Sequence, residues 1–280
     1  MSKKAATFSG KAGNPDCRQR VVMGRHAPIW RRALYRAFDR VSFLREGRTP
    51  DGSFKVYVSP GCQLSVLKAS LPIDPVHARF IARWVQPDSI VWDVGGNMGL
   101  FCFPAALKAR AGHVYTFEPD VDLACNLIRS LARNPALNVT VSSVALSDAD
   151  GIASFLIAAH GRSMNKLDGA GPWHEDLFVA SEKRSVASLR LDTAAKSFPL
   201  PNIIKVDVEG AEMKVLEGGR ETIARARPVI LVEGPRELWP QMTAFFHTLD
   251  YILCDGQAES PIVLDQPVWD TVAVPRDNWR

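Results

Sequence analysis

Three sets of residues in this chain combine side-chain type and spacing in a way suited to chemistry. Asp93 precedes a turn holding Gly95, Gly96 and Gly99, with Asn97 between them, in the pattern Asp-x-Gly-x-Asn-x-Gly. Glu118 follows a second apolar run, and Lys205, Asp207 and Glu209 alternate along a third. Glycines tolerate positive φ and let backbone approach a ligand closely, and amides at a helix entrance favour an anionic or electron-rich group. An acid at the carboxyl end of a strand in an open α/β sheet lies where ligands bind, and can accept both hydroxyls of a ribose. The charges at 205, 207 and 209 are costly to bury unless they pair or meet a substrate. A carboxylate among them can serve as a general base toward a hydroxyl.

The elements around these residues follow from hydrophobic patterning. Ile90–Val94 reads as a strand, followed by the glycine turn and an Ala- and Leu-rich helix through Ala109. His113–Phe117 is a second strand, ending in Glu118-Pro119, with a helix from Asp120 to about Ala132. Val139–Leu146 is expected to be one strand and Ala153–Ile157 an edge strand or hairpin. Residues 158–185 carry Gly161, Gly169, Gly171 and Pro172 and are expected to be irregular. A long structureless stretch inside a compact domain is usually functional, so it is expected to be a lid or acceptor loop. Val186–Leu191 and Ile203–Val208 read as strands, Ala211–Glu217 as a helix stopped by Gly218-Gly219, and Pro228–Val232 as a further core strand. A helix over Glu237–Leu249 and strands at Tyr251–Cys254 and Thr271–Val274 complete the rhythm. Alternating units of this kind predict an α/β fold, a mostly parallel sheet with helices on both faces.

The glycine turn is not a dinucleotide fingerprint: counted from Gly95, the third and sixth positions are Asn97 and Leu100 rather than glycine. The pattern read from Asp93 is the loop used by S-adenosylmethionine-dependent methyltransferases. Asp148, closing Ser142–Ser147, is a candidate acceptor for an adenine amine, although Asp148, Asp150 and Gly151 also suit a plain turn. Trp92–Gly99, Phe117-Glu-Pro119, Val144–Asp148, Leu189–Thr193, Ile204–Glu212, Val215–Gly218 and Arg227–Glu233 together resemble the FkbM family of methyltransferases, in the family's order, over roughly residues 75–255. One departure is Gly96, where the family commonly has alanine. The resemblance implies a Rossmann-like class I methyltransferase fold, S-adenosylmethionine as cofactor, and O-methylation of a hydroxyl on a sugar or natural-product small molecule. On that reading Asp93, Gly95, Gly96, Asn97, Gly99, Glu118 and Asp148 hold the cofactor, and Lys205, Asp207 and Glu209 carry catalysis. Asp207, Glu209 and Glu233 could alternatively hold magnesium, which is possible but not expected. His160, with Arg162 and Asn165 in the irregular stretch, is a lesser candidate base. The competing readings are an NAD(P)-dependent oxidoreductase, which uses the same ribose acid, and a non-catalytic Rossmann-like binding module.

Charge and cysteines bound the rest. The net charge of +4 is uneven: residues 1–50 hold twelve Lys/Arg against three Asp/Glu, so the remainder is mildly acidic. Residues 1–26 lack periodicity and are expected to be mobile. From Ile29 to Leu44 the apolar residues fall on one face of a helix bearing several arginines, a basic amphipathic extension able to contact an anionic membrane surface. The expected division is an N-terminal extension over 1–70 and a methyltransferase domain over 71–280. No nucleic-acid partner is expected. The five cysteines are scattered, with no Cys-x-x-Cys pair, no apolar run is long enough to span a membrane, and no secretory signal core follows the first lysines. A reducing cytoplasm is the expected setting.

Overall fold

A computed structural model describes residues 41–62, 71, 73–159, 161–171 and 178–279. Its frame is an eight-stranded sheet. Strands β3 (Ile90–Val94), β4 (His113–Phe117), β5 (Val139–Ser142), β10 (Ile203–Val206) and β11 (Val229–Glu233) pair in parallel in the order β11-β10-β3-β4-β5. Beyond β11 the sheet continues antiparallel through β14 (Asp270–Pro275), β12 (Tyr251–Asp255) and the short β13 (Val263–Leu264). The strand order reverses between β3 and β10, which makes their carboxyl ends the place where a ligand crevice forms.

The period-two alternation of the strands separates two cores. Val91, Val114, Ile203 and Leu231 face α1 (Pro75–Trp84), α2 (Cys102–Lys108) and α3 (Val121–Leu131) in one cluster. Trp92, Val94, Ile204, Val206, Ile230 and Val232 belong to the other, with α4 (Leu191–Ala194), α5 (Glu212–Gly218), α6 (Arg220–Ala226) and α7 (Trp239–Thr248). Strands buried on both faces are expected to be nearly continuous apolar runs. The polar exceptions Asp93, Thr116 and Lys205 therefore stand out on the first face. The fold is thus the α/β arrangement that the sequence pattern predicts, a mostly parallel sheet with helices on both faces.

The structure departs from the sequence reading in several places. The apolar run Val139–Leu146 is not one strand: β5 ends at Ser142 in the main sheet, and β6 (Ala145–Ser147) belongs to a second, four-stranded sheet ordered β6, β9 (Ala180–Arg190), β7 (Gly151–Ala158), β8 (Lys166–Leu167). Within the 158–185 stretch, Lys166–Leu167 forms β8, and Ala180–Arg190 forms β9, paired to β7 (Gly151–Ala158). The helix expected to end at Leu44 does not reach it, because Phe43–Thr49 is strand β1 of a hairpin with β2 (Gly52–Val58). The remainder of that expected helix, the tail before it and His160 lie outside the described residues. A boundary at residue 70 also cuts through one core. Phe54, Val56 and Val58 are fully buried in the first cluster, Phe54 stacks on Phe103 with ring centres 6.0 Å apart, and Ser130 and Asn134 hydrogen-bond the backbone of Tyr57 and Lys55. Among the described residues, Cys62, Cys102, Cys125 and Cys254 are free thiols, and no helix is long and apolar enough to cross a membrane.

The second sheet is fastened to the first by a buried ion cluster. Asp120, fully buried, caps α3 by accepting from the Asp122 amide. Its carboxylate also accepts from Arg162 at 2.9 Å, Asn165 at 2.8 Å and Arg184 at 3.1 Å. Arg162 and Arg184 reach Asp122 as well. Removing one partner from a buried, hydrogen-bonded charge network leaves the others uncompensated. Asp120→Ala is expected to cost about 3–5 kcal/mol, read as a lower urea midpoint, with Asp120→Asn recovering part of the loss because it still caps the helix.

Candidate active site

The glycine turn sits where β3 ends, and its geometry follows from two close approaches. Gly95 adopts φ 87°, and a side chain there would collide with the Asp207 carbonyl, so the loop and the end of β10 pass in backbone contact. At Gly96 a Cβ would collide with the Thr116 hydroxyl, and at Gly99, φ 84°, with the Phe103 ring. The amides of Gly95 and Gly96 are not open to a ligand, because both donate to the Phe117 carbonyl, at 3.0 and 3.1 Å. The anion-facing amides expected at this helix entrance are, for these two residues, spent on strand β4.

Glu118 and Asn97 form the outward part of the turn. Asn97, in the left-handed region at φ 47°, donates its amide to Glu118 Oε2 at 2.7 Å, while the Asp120 amide donates to Oε1 at 2.8 Å. Each carboxylate oxygen has a second lone-pair site, so the pair can still accept two hydroxyls. Burial raises the Glu118 carboxyl to about 7 against the opposing effect of the two amides. The Asn97 Oδ1 is buried without a hydrogen-bond partner. An unmet acceptor beside a twofold acceptor fits an adenosyl ligand that carries a diol and an ammonium.

Asp93, Thr116 and Lys205 lie beneath this turn. The parallel register places Lys205 directly beside Asp93. Lys205 Nζ donates to the Gly95 carbonyl at 2.7 Å and stands 3.3 Å from Asp93 Oδ1 and 3.5 Å from Asp207 Oδ2. Thr116 donates to Asp93 Oδ2 at 3.0 Å. Burial alone would depress the Lys205 ammonium, but the carboxylates of Asp93, Asp207 and Glu233 outweigh it and hold its pKa well above the ordinary range. Burial raises Asp93 despite Lys205 and Thr116. Lys205 is therefore a fixed cation, a positioning residue for the turn. Asp93, with no exposed surface, acts on a ligand only through its neighbours.

The alternation expected for Lys205, Asp207 and Glu209 stops early. Strand β10 ends at Val206, the Asp207 amide continues the ladder onto the Val94 carbonyl, and Glu209 turns to φ 54°, followed by Gly210 at φ 97°. A non-glycine residue held in this region is sparsely populated and marks a locally over-determined site. The restraint is Glu212, which is 1% exposed and whose Oε1 accepts from the Gly210 amide at 3.0 Å and the Val208 amide at 3.3 Å. Burial raises Glu212 to about 7, and its Oε2 is buried without a hydrogen-bond partner. Asp207 and Glu209 remain partly exposed beyond the end of β10. Glu233 lies at the end of the neighbouring strand and accepts from the Trp269 indole at 2.8 Å. Among the described residues, no group of three or more His, Cys, Asp or Glu is placed to hold a metal ion. Asp207 and Glu233 instead share the field of the Lys205 ammonium.

Asp148 is not brought to this site by the strand expected to carry it. That strand breaks after Ser142, and Asp148 is exposed, accepts from the Ser147 hydroxyl at 3.0 Å, and lines a groove with Lys214, Arg220 and Thr248 on α5 to α7. Thr116 and the anchoring part of Glu212 were not read from sequence. A threonine in a strand is ordinary, and the only hint for Glu212 is an acid in the first turn of a helix after glycine.

Comparison with known proteins adds the following. A family model described as Methyltransferase FkbM domain matches residues 93–253. The hexuronic acid methyltransferase AglP of Haloferax volcanii is 28% identical over 158 residues, 55% of this chain and 59% of that protein. The match thus spans less than two thirds of AglP. The 2-O-methyltransferase NoeI of Sinorhizobium fredii is 26% identical over 174 residues, 59% of this chain and 71% of its own length. A crystal structure of methyltransferase FkbM from Methylobacillus flagellatus KT superimposes with a TM-score of 0.46 at 18% identity, over 67% of this chain and 43% of that one.

Gly96, the position where alanine was anticipated, yields a test. Gly96→Ala is expected to push the Thr116 hydroxyl off Asp93 and cost about 1–3 kcal/mol, the usual range for overpacking. In a Thr116→Ala background the same change should cost clearly less, a non-additivity measurable by denaturant unfolding of the four proteins. Equal costs in the two backgrounds would show that the hydroxyl is not the obstacle.

Proposed function

Because this chain belongs to the FkbM methyltransferase family, we propose that it transfers the methyl group of S-adenosylmethionine to a hydroxyl of a sugar. Glu118 accepts the ribose hydroxyls, the unmet Asn97 Oδ1 accepts from the methionine ammonium, and Gly95, Gly96 and Gly99 give the turn its close approach. The bound cofactor supplies an electrophilic methyl on a sulfonium. What remains for the chain is to hold the acceptor oxygen in line with it and to take up the hydroxyl proton, worth on the order of 100- to 10,000-fold. Asp207 and Glu209 are the candidate bases, because they are the half-exposed carboxylates at the end of β10. Lys205 pairs with the Asp207 carboxylate, and Glu212 fixes the turn that carries Glu209. The single observation that carries the reading is this convergence: a twofold acceptor at the tip of β4 and a pinned pair of carboxylates at the end of β10, either side of the glycine turn. Support for a sugar comes from the names of AglP and NoeI, two relatives at modest identity. A nicotinamide cofactor is disfavoured by the missing fingerprint glycines, and a purely binding role leaves the strained Glu209 without a use.

The first test is the pH dependence of adenosylhomocysteine binding. Two hydroxyls can donate only to an ionised Glu118. Affinity should therefore be flat above the Glu118 pKa of about 7 and fall by up to about tenfold per pH unit below it. Calorimetry on Glu118→Gln should show weak binding without that slope. An unchanged slope in the variant would assign the titration elsewhere, Glu212 being the other carboxyl raised to about 7.

The second test separates the bases from the cofactor site. Asp207→Asn or Glu209→Gln is expected to lower kcat by about 100- to 10,000-fold with adenosylhomocysteine affinity little changed, using labelled methyl donor and a panel of sugars. Loss of cofactor affinity in parallel with kcat would make both residues part of the binding scaffold instead.

A further inference from the structure

On the same end of the sheet as the glycine turn, a second cleft of about 480 Å³ opens beyond β11. Its size is within the range of small-molecule sites. Trp239 and Trp269 line it, together with Arg236, Glu237, Asp255 and Gln257. Both indole N–H groups are spent inward, Trp239 on the Gly234 carbonyl at 3.1 Å and Trp269 on Glu233 at 2.8 Å. What the two residues offer the cleft is therefore ring hydrocarbon. The polar rim is ordered as well: Asp255 Oδ1 accepts from the Gln257 amide at 2.8 Å, and the Gln257 side chain donates to Asp270 at 2.9 Å.

This cleft is joined to the candidate bases through the scaffold. Glu233 ends the strand that runs parallel to β10, and its charge acts on Lys205. The segment carrying Arg162 and Asn165 continues to Gly171, whose amide donates to the Gly210 carbonyl at 3.0 Å. The cleft and the candidate bases therefore both lie at the carboxyl ends of adjoining parallel strands, β10 and β11. Aromatic hydrocarbon flanked by carboxylates and an amide is suited to a ring that is apolar on its C–H face and carries hydroxyls at its edge. The rim holds two carboxylates, Glu237 and Asp255, against one guanidinium, Arg236, with Glu233 behind. A ligand carboxylate would meet a net negative rim, and like charges at short range suppress such a partner.

Resting on the sugar reading above, we propose that this cleft between Trp239 and Trp269 seats an uncharged, hydroxyl-rich sugar ring of the acceptor and discriminates against uronic acids. The experiment is saturation-transfer NMR on the full chain with adenosylhomocysteine present, using methyl hexopyranosides and methyl hexuronides as probes. Hexosides should give ring-proton signals, and hexuronides should give weak ones. Glu237→Gln or Asp255→Asn should weaken hexoside binding about tenfold, the loss of a hydrogen bond to a charged group, and the double variant should raise the hexuronide signal. Trp239→Leu should also weaken the hexosides. Adenosylhomocysteine affinity, measured on every variant, reports that the protein is still folded. Hexuronides that bind as well as hexosides, or hexoside signals indifferent to all three substitutions in folded protein, overturn the proposal. If hexosides are methylated but ignore these substitutions, the cleft assignment fails and the sugar reading stands. If wild-type protein neither binds nor methylates any sugar, both fall together.

Discussion

The ammonium of Lys205 is the constraint on which the rest of this structure depends. A lysine buried in the middle of a parallel sheet is expensive unless its charge is matched. Here it is matched by Asp93 on the adjoining strand and Asp207 at the end of its own, and its remaining bond goes to the Gly95 carbonyl. Those contacts tie three things together: the first strand of the fold, the turn expected to meet the cofactor, and the turn expected to meet the acceptor. The carboxylates hold the ammonium charged against the pull of burial. The chain keeps its titrating groups one layer out, in Glu118 and Glu212.

A second tie runs at right angles to the first. Glu118 and Asp120 are neighbours in sequence with opposite duties: Glu118 turns toward the glycine turn, and Asp120 turns back to collect Arg162, Asn165 and Arg184. A displacement of the second sheet therefore pulls on the residue that precedes α3, and through the Asp120 amide on Glu118 itself. The segment carrying Arg162 and the Glu118 carboxylate are mechanically adjacent, although about 40 residues separate Arg162 from Asp120 along the chain.

Much of this was legible in the sequence, and the failures have physical causes. The five parallel strands announce themselves because burial on two faces demands continuous apolar runs. Glu118 and Asp93 were visible because acids at the tips of such runs require an explanation. The break after Ser142 was hidden by the same logic, since an apolar run that changes sheets resembles one that does not. Glu209 was misplaced by strand periodicity because nothing local reveals that Val206 is the last strand residue. The turn beyond it is set by Glu212, a contact made from the following helix. The amides of Gly95 and Gly96 looked available because their acceptor, Phe117, belongs to another strand. Arg162 was noticed only as a neighbour of His160, and its importance lies wholly in distant carboxylates.

The β1–β2 hairpin shows how the recognisable unit and the folding unit differ. The family-model match begins at Asp93, yet Phe54, Val56 and Val58 fill the same core as Val91 and Leu127. Truncating the chain at the edge of similarity would strip an aromatic stack from α2 and leave Ser130 and Asn134 facing water. Fragments trimmed to the block that the family model matches would expose that apolar seam and be prone to aggregate, so protein-engineering boundaries belong upstream of the hairpin.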